Sequence, residues 1–174
     1  MTTTRLNKRF TTLAIAGFLA ASAMPGASAQ ASPATQSTPN AGLGGTWQFQ
    51  ISLENCETKA TVGAPFYSLL TFNGNGTMTE TTSNPMFYPA ERGPGHGVWS
   101  QVNGTTYNAT SEAFITLNGE LQKVQTITQT IEMTGKDTLM TTSAKVKFAA
   151  PDGTVLMEGC ASATASRLGL TGVQ

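Results

Sequence analysis

His96 is the only imidazole in the 174-residue chain, and Gly95 and Gly97 flank it, leaving backbone room for a substrate to approach. An imidazole titrates near neutrality and suits general acid–base work when a carboxylate or other polar group orients it. Glu91 is the sequence-local carboxylate that could do so. Nothing else completes a catalytic set. The chain has no Gly-x-Ser-x-Gly elbow, phosphate loop, dinucleotide fingerprint or Asp-x-Asp-x-Asp calcium loop. One histidine and two cysteines are too few for a zinc cluster. A lone histidine in a Gly/Pro loop is more often structural, so His96 with Glu91 is the minor reading, and no metal or cofactor is expected.

A second group of residues suits binding rather than reaction. Met86, Phe87, Tyr88 and Arg92 lie with Glu91 and His96 in one stretch, 84–97, rich in Gly and Pro. Aromatics and Met on a loop suit a lid over an apolar ligand, because their large apolar surfaces adapt to irregular shapes. The alternative is that Phe87 and Tyr88 simply pack as cover.

The elements that would carry these residues are strands. Thr occurs 29 times and Gly 18 times, a mix favouring strands and turns. Residues 46–53 alternate with period two: Trp47, Phe49, Ile51 and Leu53 against Thr46, Gln48, Gln50 and Ser52. Further strand-like runs fall at 66–72, 77–83, 97–102, 105–115, 121–133, 138–149 and 154–166. Between them stand Asn73-Gly74-Asn75-Gly76, Asn103-Gly104, Asn118-Gly119, Gly135-Lys136-Asp137 and Pro151-Asp152-Gly153, all with turn chemistry. The expected fold is all-β, an eight-stranded antiparallel up-and-down barrel closed by pairing of the first strand with the eighth.

The ends of the chain read differently. Arg5, Lys8 and Arg9, an apolar run from Leu13 to Ala23 and the small residues Ala27-Ser28-Ala29 form a secretory signal over 1–29. The apolar run is far short of the ~20 residues of a spanning helix, so no stable membrane insertion of the mature chain is expected. Residues 30–44 carry no charge and read as a disordered linker, 45–168 as the barrel domain and 169–174 as a tail. Ten basic residues balance ten acidic ones, and three of the basic residues leave with the signal, which argues against nucleic-acid binding. The mature protein is expected in the periplasm or secreted. The Asn-x-Thr sequons at Asn75, Asn103 and Asn108 are read as turn residues first.

Export makes a disulfide the default for Cys56 and Cys160, the only cysteines. Facing residues of an antiparallel pair have numbers of constant sum. Cys56/Cys160 and Trp47/Arg167 fall within one diagonal step of the same register, which is what barrel closure requires. A bridge of this span is worth roughly 4–5 kcal/mol through chain entropy.

Gly45-Thr46-Trp47 at the opening of the first strand, together with Arg167 at the end of the last, resembles the lipocalin or wider calycin pattern. The resemblance implies a closed barrel in which Arg167 packs across Trp47 and seals one end. The family's Thr-Asp-Tyr-type turn is absent. The chain is also similar to small secreted bacterial proteins.

In a meander, alternate links share a rim. The links 73–76, 103–104 and 134–137 are tight, whereas 57–65 and 84–95 are long and share the opposite rim with 116–120 and 150–153. Trp47 and Arg167 belong to the tight rim, so the long-loop rim is the expected mouth. Gly159, Ala161, Ala163 and Ala165 on the inner face of the last strand leave room, to be taken by a ligand or by neighbours such as Met140, Val146 and Phe148. Gln125 and Gln129 share parity with Ile127 and Ile131, a mixed face that a bulge would resolve. The expected function is binding of a small apolar or amphipathic ligand at the mouth by Met86, Phe87, Tyr88, Arg92 and His96. The alternatives are a filled interaction module or a cofactor-free cyclase or isomerase.

Overall fold

The computed structural model describes residues 42–169. The signal segment, residues 30–41 of the linker and residues 170–174 lie outside the described residues. The strands are β1 (Gly45–Glu54), β2 (Thr61–Phe72), β3 (Thr77–Thr82), β4 (Glu91–Arg92), β5 (Gly95–Asn103), β6 (Thr106–Leu117), β7 (Glu120–Met133), β8 (Thr138–Ala149) and β9 (Val155–Arg167). Eight of them pair antiparallel in chain order, and β9 returns to β1, so the barrel closes without a free edge. The two-residue β4 is additional. It pairs with β6 through Glu91–Thr116 and Arg92–Ile115, one residue out of step with the β5–β6 register.

Closure follows the expected register. Trp47 faces Arg167 directly and Glu54 faces Cys160, and Cys56 lies two residues beyond that last pair. The disulfide is formed, with a Cα–Cα distance of 5.1 Å.

Three expectations are corrected. First, β2 starts at Thr61, so 61–65 is strand and the link after β1 is short. Pairing jumps from Ile51–Phe66 to Leu53–Val62, leaving two extra residues on β2, and Gly63 takes φ +74° within that irregularity. Second, β8 has a bulge between Thr141 and Ala144 that reverses its parity. Leu139 and Thr141 are therefore buried and Met140 faces outward, 41% exposed. Third, order begins before residue 45: Leu43 is fully buried, and its carbonyl accepts a 2.8 Å hydrogen bond from Trp47 Nε1.

The core fills the tight-link end. Leu43, Trp47, Phe49, Phe72, Met78, Ile131 and Leu139 are its largest inaccessible side chains. The rings interlock, Phe72 edge-on to Trp99 at 6.1 Å and Trp99 tilted against Tyr107 at 5.8 Å. Each large side chain so buried contributes about 1.5–3 kcal/mol. Arg167 lies 4.1 Å over the Trp47 ring, a cation–π contact. It also donates to the carbonyls of Gly44 and Gly42 and to Asp137 Oδ1, binding the entering chain and the β7–β8 link to the closed end.

Candidate functional site

Above the core the barrel is hollow. A cavity of about 440 Å³ has Phe49 and Leu70 in common with the core and opens towards the 84–90 link. Inner-face parity explains its shape. Met157, Gly159, Ala161 and Ala163 alternate inward on β9, and no atom lies within 4 Å of a Cβ built on Gly159. Ile51, Phe66, Ile115, Ile127, Val146 and Phe148 supply apolar wall. Val62, Met86 and Met157 stand at the lip, each more than half exposed. Exposed apolar residues around a concavity are the usual mark of a binding mouth.

One wall is polar. Arg92 and Glu80 form an ion pair whose side chains are 3% and 6% exposed. Arg92 Nε also donates to Gln125 Oε1, and Nη1 donates to the Gly93 carbonyl at 3.2 Å. Thr141 donates to Gln129 Oε1 at 3.3 Å. The strands explain why these groups meet. Glu80 shares inner parity with Met78 on β3 and faces Gly95, and Gln125 faces Ala113. Gly95 and Ala113 thus stand between Glu80 and Gln125, small enough for a guanidinium and a carboxylate to lie over them. A Cβ on Gly95 would overlap the Glu80 side chain. Arg92 enters this space because β4 sets it beside Ile115, an inward residue. The glutamines face inward with no bulge to turn them away, so the mixed face of β7 is real.

The residues expected at the mouth divide. Met86, Phe87 and Arg92 line the cavity. A 3₁₀ turn over Pro85–Phe87 places the first two: Asn84 Oδ1 accepts from Met86 N at 3.0 Å, and the Phe87 ring rests on Phe148 at 6.3 Å. Tyr88 is 87% exposed and outside the lining. His96 is exposed on the outer face, paired with Thr79 and Glu112, because Gly95, Gly97 and Trp99 take the inner positions of β5. Glu91 is also exposed, facing Thr116. The lumen therefore holds neither His96 nor Glu91. Glu80, not anticipated as a site residue, had a legible signal in its inner parity within Thr77-Met78-Thr79-Glu80. Among the described residues no group of His, Cys, Asp and Glu could hold a metal ion, and no helix is long and apolar enough to cross a membrane.

The chain matches no protein-family model, and comparison with curated proteins and with solved structures found no match.

Proposed function

We propose that this protein is an exported binding protein, periplasmic or secreted, that takes a small apolar or amphipathic molecule into the open end of its barrel. The observation that carries the reading is the 440 Å³ cavity, apolar in most of its wall and lipped by Val62, Met86 and Met157, above a core that already seals the other end. The volume lies within the range of small-molecule sites. The Cys56–Cys160 bridge is compatible with an oxidising compartment. Gly45-Thr46-Trp47 with Arg167 over the indole supports a calycin-like relationship. A filled interaction module accords less well with this space, and His96 and Glu91 lend no support to catalysis from outside it.

Native mass spectrometry of the protein recovered from an exporting host tests the reading. The expected result is added mass that is lost on denaturation, or uptake of short-chain amphiphiles by protein recovered empty. Protein that is empty and binds none of a panel of neutral and charged octyl compounds would overturn it.

A further inference from the structure

We infer that the cavity selects an uncharged polar head, one that both donates and accepts hydrogen bonds, such as a primary amide or an alcohol, and that it discriminates against carboxylates and ammonium ions. The inference rests on the binding reading above and specifies its ligand.

The argument begins with charge. Arg92 and Glu80 are the two buried charged residues of the lining, and they are paired with each other. The remaining charged lining residues are Glu54, Lys123 and Glu158, of which Lys123 and Glu158 are exposed. The polar wall is therefore neutral as a unit. A carboxylate brought to Arg92 would add a third charge beside Glu80, away from water and without a countercharge of its own. An ammonium brought to Glu80 would meet Arg92 in the same way. Both lose hydration that the site does not replace.

The wall does offer matched hydrogen bonds. Glu80 Oε1 accepts from Arg92 and Gln125 Oε1 accepts from Arg92. Among the described residues Glu80 Oε2 accepts nothing from the protein, and Gln125 Nε2 and Gln129 Nε2 donate to nothing in it. One carboxylate acceptor thus stands near amide donors on the same wall. An amide or hydroxyl head can give a proton to the first and accept from the others, leaving no charge uncompensated. The apolar remainder of such a molecule would extend between Ile51, Phe66, Ile127 and Val146 towards the lip.

The test is calorimetric titration of the disulfide-intact protein with octanamide, 1-octanol, octanoate and octylammonium at pH 8, where the last two are charged. Octanamide or 1-octanol is expected to bind at least about tenfold more tightly than either ion. In Glu80→Gln the wall becomes net positive, and octanoate is expected to gain at least about tenfold over its wild-type affinity. The wild-type series stands alone if that variant does not fold. Octanoate or octylammonium binding as tightly as the neutral compounds overturns the inference and leaves the binding reading intact. Absence of binding by all four overturns both.

Discussion

Replacing both Cys56 and Cys160 with alanine removes a bridge that spans 104 residues, nearly the whole barrel. In the chain-entropy model a closed loop of that length restricts the unfolded chain by about 4.7 kcal/mol at 25 °C. Little else changes in the folded state, because Cys56 is exposed and Cys160 only partly buried. The eight register pairs between β1 and β9, from Trp47–Arg167 to Glu54–Cys160, hold the seam without it. The predicted loss is therefore about 4–5 kcal/mol, a fall in midpoint temperature of about 15–20 °C for a domain of this size. Denaturant titration followed by tryptophan fluorescence should also show a steeper slope in the variant, because the uncrosslinked chain exposes more surface on unfolding. Wild type under reducing conditions should match the variant. A loss below about 1.5 kcal/mol with an unchanged slope would refute the argument that the bridge acts by restricting the unfolded chain.

Gly159→Leu should fill the cavity, since no neighbour lies within 4 Å of its Cβ position, and lower ligand affinity by at least about tenfold with little change in stability; calorimetry and thermal melting read the two separately. Gly97→Ala should cost about 2–3 kcal/mol, because its Cβ would overlap the Thr110 carbonyl and come within 2.9 Å of Ser111 Cβ, backbone and neighbour that cannot rotate away; urea titration against Gly159→Ala as control measures it. Ser111→Ala should stabilise by about 1 kcal/mol, because the Ser111 hydroxyl is buried with no hydrogen-bond partner among the described residues; an unchanged or lowered midpoint would show that the hydroxyl is satisfied.

The candidate site was legible in part. Met86, Phe87 and Arg92 were found because apolar residues and a cation gathered in one loop beside a strand. Tyr88 and His96 stand near these residues in sequence but not in the lumen: Tyr88 follows the 3₁₀ turn and is exposed, and in an extended chain neighbours point to opposite faces, so Gly95 and Gly97 inside put His96 outside. Glu80 has inner parity in the sequence, but a charge on an inner face makes sense only with its partner, and that partner, Arg92, is twelve residues away on another strand.

Residue pattern determined the number of barrel strands, five of the turns between them, the pairing of β1 with β9 and the small inner face of β9. Each of these depends on period-two alternation or on turn residues, which act over a few neighbours, or on the constant register of an antiparallel pair. Tertiary structure decided the bulge that turns Met140 out and Thr141 in, the extension of β2 back to Thr61, the burial of Leu43 and the ion pair between Arg92 and Glu80. The reason in each case is contact between segments distant in the chain. A closed barrel must reconcile strands of unequal length, and it does so by inserting residues where the backbone permits. A charge can enter the lumen only where the fold delivers its opposite and two small residues, Gly95 and Ala113, leave the space between.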